Sequence, residues 1–413
     1  MSVAWFDSVT LTVECAFSTA PLAVTSTWTD ISAYVMGIDL IQGGRATGLD
    51  QFAPGTLRLT LNNSDRRFDP LYSSGAYYPN VLPRKKIRVR ATYSAVTYDL
   101  WCGYVDGWPT TYELSNTLAI CNVNATDGFK ILSRARLPIT GVAVGAQDTV
   151  AARIGRLLDY AAWPAADRTL DADSPTLIAL VPNGQTVQSE MYAAANGDLG
   201  QLFITPDGKF TYRGHRWQLG NNLTASATFG DAAGELPYAD LTPTFDDAQI
   251  FNRCTATATV GPLATSTTYD VSDTTSISAY GESNRALGTS QVYNSDVMQN
   301  TVEWVVARYK DAVLRVDQVT VNPRDPRGPS SSLFPVILAA QVGTRWTLKR
   351  RPQNVGSAIS QDVIVESVAH RIGLATWEST FMLSQSPETS AGLKYWQMGV
   401  SKWTTGTPSA IWA

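Results

Sequence analysis

Apolar and polar residues alternate along much of the chain, as they do in β-strands that bury one face and expose the other. In SVTLTVE, residues 8–14, the side chains of Val9, Leu11 and Val13 fall on the same face. Further strand-like runs follow, separated by turn-prone segments: TLRLTL, KIRVR, YDLWCGYVDGW and TLAICNVNA. Residues 1–130 are therefore predicted to form a small antiparallel β-barrel domain, with a sandwich as the alternative.

The pattern changes to a helical period after residue 146. In AQDTVAARIGRLLDYAAWP the apolar residues recur at helical spacing, which predicts a helix that is N-capped by Asp148 and stops before Pro164. The run VQSEMYAAANG predicts a shorter helix with a left-handed cap at Asn196-Gly197, and the residues after it predict a hairpin. A third helix is predicted in SDVMQNTVEWVVARYKDAV.

The last region returns to alternating strands in VDQVTVNP, GTRWTLKR, QDVIVESVAHRI and TWESTFMLS. KIRVR at 86–90 and RWTLK at 345–349 share a basic-apolar-x-apolar-basic pattern, and a turn and another strand follow each. Two similar small antiparallel β-barrel domains that flank inserted α+β segments would explain this likeness. The fold class is thus predicted to be β-rich α+β, with these parts: a first barrel at 1–130, a helix and α+β insert at 131–225, a β segment and helix as second insert at 226–325, final barrel strands at 326–388, and a C-terminal tail at 389–413.

Composition narrows the classes of partner. The 32 basic and 36 acidic residues include no long block of either sign, so sequence-specific binding of nucleic acid is not expected. No apolar run reaches 18 residues and the first residues lack a signal-peptide pattern, so we expect no stable transmembrane segment and synthesis in a cytoplasm. The scattered cysteines, with no CxxC pair, predict buried free thiols: Cys15, Cys102, Cys121 and Cys254.

The chain offers little for catalysis. His215 and His370 lie far apart, GxSxG is absent, and no residue stands in a recognisable triad. The glycines of IQGGRATG at 41–48 lack GK[ST] and a following helix, so they predict a mobile turn instead of a phosphate loop. We expect no enzyme activity, no catalytic residue, no metal and no cofactor.

The most chemically suggestive segment is LNNSDRRFDP, residues 61–70, which places two arginines between two aspartates. A calcium ion could use oxygens from Asn62, Asp65 and Asp69, although the EF-hand spacing is missing. Arg67 is placed for a bidentate bond to a neighbouring carboxylate, and a proline follows where the strand must turn. We predict a structural or interface corner formed by five consecutive residues: Arg66, Arg67, Phe68, Asp69 and Pro70.

The aromatic residues leave a second function open. The tail KYWQMGVSKWTTGTPSAIWA contains Tyr395 and Trp403, which could be exposed and stack on sugars. A receptor- or carbohydrate-binding protein is therefore kept as the alternative to a structural role.

Several of these segments together resemble a known family. LTLNNSDRRFDPLYSSGAYYPNVLPRKKIRVRA is similar to a run near the start of minor tail and tail-hub proteins of long-tailed, chiefly actinobacterial, bacteriophages. SISAYGE, GTRWTLKRR, VESVAHRI and TWESTFMLS look like later parts of the same family. The match is thin between residues 165 and 250.

The resemblance implies a tail-tip or baseplate hub subunit, built into the virion after assembly in the host cytoplasm. In that family it implies two small β-barrels with inserts, assembled as a homotrimer whose six barrels match a sixfold tail ring. The expected partners are distal tail or tube proteins, the tape measure protein, other tail-tip or fibre proteins and the host surface. The expected task is to close the tail tube until genome ejection.

Overall fold

The structure, a computed structural model, describes residues 3–6, 9–112, 119–172, 174–215, 217, 224–261, 264–324, 330–352 and 355–386. Its strands are β1 Val3–Phe6, β2 Val9–Cys15, β3 Thr29–Asp30, β4 Val35–Ile41, β5 Thr56–Asn62, β6 Lys86–Tyr93, β7 Val96–Gly107, β8 Thr110–Tyr112, β9 Ala119–Thr126, β10 Arg168–Leu170, β11 Gln201–Ile204, β12 Phe210–Arg213, β13 Ala227–Phe229, β14 Asp240–Thr244, β15 Arg253–Val260, β16 Thr265–Ser272, β17 Asn284–Ala286, β18 Arg315–Val321, β19 Arg345–Arg350, β20 Ile359–Gly373 and β21 Trp377–Gln385. Its α-helices are α1 Phe129–Leu132, α2 Val150–Tyr160, α3 Val187–Ala195, α4 Thr274–Tyr280, α5 Ser295–Tyr309 and α6 Ser330–Ala339.

The predicted alternation is present in the strands. In β2 the side chains of Val9, Leu11 and Val13 are buried and those between them are half-buried, and β5 and β6 repeat the pattern. Each strand therefore contributes one apolar face to a core while its other face remains open to solvent or to polar neighbours. The prediction of a β-rich protein is confirmed.

Fifteen strands join in one sheet network that consists of two halves. The first half runs β2-β6-β7-β9-β5-β4 across the sheet, and the second runs β13-β19-β20-β21-β18-β14. The two halves have the same order in the sheet and also the same order along the chain. They differ at one end, where β2 pairs antiparallel with β6 but β13 pairs parallel with β19. Among the described strands the pairing does not close into a barrel.

One antiparallel ladder, the seam, joins the halves within the chain. Gly37–Ile41 of β4 pair with residues 369–373 of β20. Helix α6 strengthens the seam because it belongs to both cores. Phe334 and Leu338 lie in the core of the first half, whereas Leu333 and Ile337 lie in that of the second.

Two inserts interrupt this repeated order. Residues 127–226 separate the halves and contain α1 to α3 with the small sheet β10-β12-β11, while residues 245–314 separate β14 from β18 and contain β15 to β17 with α4 and α5. Their apolar side chains share one core; for example, Met191 of α3 and Met298 of α5 belong to the same buried cluster. The two inserts therefore pack as a common body.

The predicted helices and the hairpin β11-β12 are confirmed, but their ends differ from the prediction. Thr149, and not Asp148, caps α2 by accepting a hydrogen bond from the Ala152 N–H at 3.2 Å. Asp148 instead binds the guanidinium groups of Arg153 and Arg156, which draw its carboxylate away from the helix end. After α3 the left-handed residue is Leu199, because one turn of 3-10 helix takes up Asn196 to Asp198 first.

The four cysteines are buried free thiols, as predicted. In the part of the chain that the structure describes, no helix is both long and apolar enough to cross a membrane.

Candidate assembly interface

The corner predicted at residues 61–70 is a chain of tight turns directly after β5. The Arg66 N–H donates to the Asn63 carbonyl, and the Asp69 N–H donates to the Arg66 carbonyl. Asn63 is fully buried, and its side-chain oxygen accepts a hydrogen bond of 3.0 Å from the Phe68 N–H. Arg66 has a φ of 59°, in the left-handed region that a non-glycine residue seldom adopts. These bonds fix a sharp reversal at the end of the strand.

Phe68 anchors this corner in the core of the first half. Its ring is fully buried and lies parallel to the Trp108 ring, with centroids 5.9 Å apart. Tyr34 and Tyr77 pack against other sides of the Phe68 ring. Buried aromatic side chains bring large apolar areas together, so this cluster stabilises the corner more than its surface charges do.

The two arginines have separate carboxylate partners. Arg67 binds Asp65 through Nε, at 2.7 and 2.9 Å from the two carboxylate oxygens, and its guanidinium lies 3.7 Å from the centroid of the Tyr34 ring. Arg66 binds Asp69 at 2.7 Å, and the Tyr112 hydroxyl donates to the same carboxylate at 2.9 Å. The expected bidentate bond of Arg67 is thus made to Asp65, and Asp69 is held by Arg66.

These contacts set the charge of both aspartates. The side-chain hydrogen bond from Arg67 lowers the pKa of Asp65 below its ordinary value. Burial raises the pKa of Asp69, but hydrogen bonds from the Leu71 N–H, Arg66 and Tyr112 outweigh burial and leave it lowered. Both carboxylates are ionised at neutral pH and are neutralised by the protein's own arginines, so calcium binding gains no support here. Among the described residues, no cluster of three or more histidine, cysteine or acidic side chains could hold a metal ion.

The outer side of the corner exposes several apolar side chains among polar ones. Pro70 is exposed, and beside it Leu71 has an exposed fraction of 89%. Tyr78 and Leu82, further along the same connection to β6, are exposed by almost half. The connection thus buries Phe68 and Val81 in the core and leaves these apolar side chains open to solvent or to a partner.

Sequence reasoning missed the main polar contact between the halves. Arg45, in the predicted mobile turn, forms a bidentate pair with Glu366 of β20, with distances of 2.7 and 3.0 Å. The side chains are only 9% and 1% exposed. The turn is held in place, since the Gly44 N–H also donates to the Ala53 carbonyl, and a Cβ on Gly44 would lie 2.2 Å from the Glu366 carbonyl oxygen. The two glycines before Arg45 were the sequence signal for this contact, because residues without a Cβ allow two backbones to approach closely.

A cavity of about 210 Å³ lies beside this contact. Arg45 and Phe52 line it from the first half, and Tyr192 and Arg285 line it from the inserts. It is smaller than the roughly 300 Å³ at which pockets for drug-sized ligands begin. It supports no assignment of a ligand.

One contact has the form of a nucleophile and its base. His370 Nδ1 and the Ser379 hydroxyl are 2.8 Å apart on neighbouring strands, and burial lowers the pKa of His370 to about 4. Both side chains are buried among apolar residues of the sheet. No substrate can reach them in this structure, so the pair is a packing feature.

Tyr395 and Trp403, the predicted sugar contacts, lie outside the described residues, and the recognition role stays a prediction.

Comparison with known proteins supports the fold. No family model and no curated protein sequence matches the chain. Among solved structures, the tail protein from Neisseria meningitidis MC58 is similar over 90% of this chain and 96% of its own, with a TM-score of 0.58 and 13% identity. The 43 kDa tail protein of prophage MuSo2 from Shewanella oneidensis is similar over 91% and 96%, with a TM-score of 0.56 and 12% identity. At these identities the likeness establishes a shared fold.

Proposed function

We propose that this chain is a structural subunit of a bacteriophage tail tip, the baseplate hub. In this role it closes the distal end of the tail tube and anchors other tip proteins for host attachment and genome ejection. The likeness to two tail proteins, one of them from a prophage, over nearly their full lengths supports this reading. In this proposal the chain acts without catalysis. The tip-closing and anchoring roles come from the resemblance to tail-hub proteins of chiefly actinobacterial phages.

The repeated strand order is the observation that carries the proposal. A chain with two similar halves can occupy two neighbouring positions of a ring, so three copies present six similar halves to a sixfold tube. A single-half protein would need six copies to do the same. The seam β4–β20 already places the two halves side by side by continuous strand pairing.

The proposed domains keep the predicted ranges 1–130, 131–225, 226–325, 326–388 and 389–413, except that the second half takes strands from 226–325 as well. The halves are the proposed tube-facing barrels, and the inserts are their outward body. Strands β13, β14 and β18 of the range 226–325 pair within the second half, so we include them in its proposed barrel. The proposed partners are the homotrimer itself, the distal tail or tube proteins, the tape measure protein and further tip or fibre proteins. The chain is assembled in the host cytoplasm and acts in the virion.

Mass and imaging test this proposal. Native mass spectrometry of the purified chain is expected to show a trimer. Cryo-electron microscopy of the virion is expected to place density of this fold on the tail axis at the distal end. A chain that stays monomeric and lies off the axis, or binds host glycans through its aromatic tail, would favour the receptor-binding alternative.

A further inference from the structure

Several strands of the large sheet network pair on one side only in the described part of the chain, and two of them, β14 and β8, are counterparts of strands that pair in the seam. Strand β14 pairs with β18 on one side only, and β8 pairs with β9 on one side only. An open edge presents N–H and C=O groups that another strand can bind. The edges stand at matching places in the two halves, since β14 is the counterpart of β4, and β7 with β8 is the counterpart of β20.

The counterpart positions can be read from the register. Leu59-Thr60-Leu61 of β5 match Val319-Thr320-Val321 of β18, because each run leads into an asparagine. Ile38 lies opposite Leu59, and Leu241 lies opposite Val319, so Leu241 is the counterpart of Ile38.

The same comparison of registers identifies the residue of β20 that corresponds to β8. Arg371 of β20 lies opposite Glu378 of β21, and Thr111 of β8 lies opposite Ile120 of β9. In the first half, Val123 of β9 lies opposite Leu59, and Ile120 precedes Val123 by three residues. In the second half, Phe381 of β21 lies opposite Val319, and Glu378 precedes Phe381 by three residues. Ile120 and Glu378 are therefore counterparts. Thr111 is therefore the counterpart of Arg371. Within the chain, Arg371 pairs with Asp39. Thr242 follows Leu241 as Asp39 follows Ile38, and it lies where the register of β14 on β18 shifts.

We infer that β14 of one copy pairs antiparallel with β8 of the next copy, with Thr242 opposite Thr111 and Leu241 opposite Tyr112. The partner is a second copy of this chain, and the contact repeats between copies what the seam does within one. Pro243 lacks an N–H, so the ladder runs through Asp240–Thr242. This inference rests on the proposed trimer and specifies which edges form it.

A second contact follows from the same relation. Helix α6, which lies between β18 and β19, packs on β6 and β7, and Phe334 stacks on Tyr93 of β6 at 5.5 Å. The corner connection 63–85 lies between β5 and β6, so it is the counterpart of α6. Its exposed Leu71 is then expected to pack on the β19–β20 hairpin of the neighbouring copy, where Val355 is exposed by 72%.

Disulfide cross-linking tests the inferred register. The double variant Thr111→Cys with Thr242→Cys places two thiols opposite each other between copies, at a Cα separation within the range that disulfides span. The four native cysteines are buried and do not compete. The control pairs Thr111→Cys with Arg58→Cys, because Arg58 is exposed in β5, which β4 and β9 flank on both sides.

Mild oxidation of the double variant is expected to convert most of the chain into covalent trimers on non-reducing gels. The control pair and each single variant are expected to stay below a tenth of that yield. A trimer by native mass in which the 111–242 pair does not cross-link would overturn the inferred edges and leave the hub proposal standing. A chain that is monomeric by native mass and does not cross-link would overturn both.

Discussion

Arg67 illustrates how a charged residue in a suggestive motif can serve its own chain. It lies against the Tyr34 ring and binds Asp65, and both partners belong to the same half of the chain as Arg67. A cation over an aromatic face contributes roughly 1 kcal/mol, and a partly exposed ion pair contributes up to about 1 kcal/mol. The corner is thus held by local contacts.

Replacing this arginine tests that view. Arg67→Ala is expected to lower the free energy of unfolding by about 1–2 kcal/mol in denaturant titrations, from loss of both contacts. Arg58→Ala, at an exposed arginine in the middle of β5, is the control and should change it by less than about 0.5 kcal/mol. Unchanged unfolding together with a lost trimer would instead assign Arg67 to the contact between copies.

Asp127 gives the chain a pH dependence. Its carboxylate is buried and accepts hydrogen bonds from the Gly55 and Phe129 N–H groups, and burial raises its pKa to about 7. The folded state therefore holds a proton that the unfolded chain releases near pH 4. The stability that this proton contributes is fully present below pH 4 and is lost as the pH rises through about 7.

The variant Asp127→Asn removes this proton exchange. The unfolding free energy of the unchanged chain is expected to fall relative to the variant, by on the order of 1 kcal/mol or more, between pH 4 and pH 8. His370 is present in both proteins, so its effect on stability cancels in the comparison. Its lowered pKa makes the folded state less stable as the pH falls below 6.5, which is the opposite direction. Parallel pH profiles would show that Asp127 is ionised in the folded chain throughout.

At the scale of elements, the Arg45–Glu366 pair fastens the loop between β4 and β5 to β20. Ser384 also donates to Glu366 at 2.6 Å, so the carboxylate is enclosed by donors. Glu366→Gln is expected to cost about 3–5 kcal/mol of unfolding free energy, because it leaves the buried Arg45 charge without its partner. The double variant Arg45→Met with Glu366→Leu should recover part of that loss. Equal loss in both would mean that shape, and not charge, decides this contact.

Sequence patterns identified most strands and the three main helices because these depend on neighbours a few residues away. They did not identify α6, whose run SSSLFPVILA contains a proline and reads as a buried strand as easily as a helix. They also missed the Arg45–Glu366 contact, since the partners stand 321 residues apart and meet only through the register of β4 on β20. The corner was recognised, but the division of Asp65 and Asp69 between the two arginines depends on the left-handed turn at Arg66.

At the scale of the whole molecule, the repeated strand order gives the chain two non-identical ends. One end of the second half is β14, which has an open edge. Its counterpart β4 pairs with β20, and the counterpart of that part of β20 in the first half is β8. Contacts between different surfaces build either a closed ring or an open fibre, and the number of copies depends on the angle of each step. In the proposed trimer, the contact between copies repeats the contact that the seam makes between the halves of one chain.

The exposed Leu71 is where this pattern can be tested without touching a strand. Leu71→Asp places a charge in the inferred apolar contact with the β19–β20 hairpin, and burying an unpaired carboxylate is unfavourable. The variant is expected to weaken trimer formation at least tenfold in sedimentation equilibrium, with an unchanged free energy of unfolding of the monomer, because Leu71 is 89% exposed there. Ile139→Asp is the matched control, since Ile139 is 80% exposed but lies in the insert, and it should leave the trimer intact. Equal weakening by both variants would show that added charge acts generally, whereas no effect of Leu71→Asp would exclude the corner from the interface and leave the strand edges to carry assembly alone.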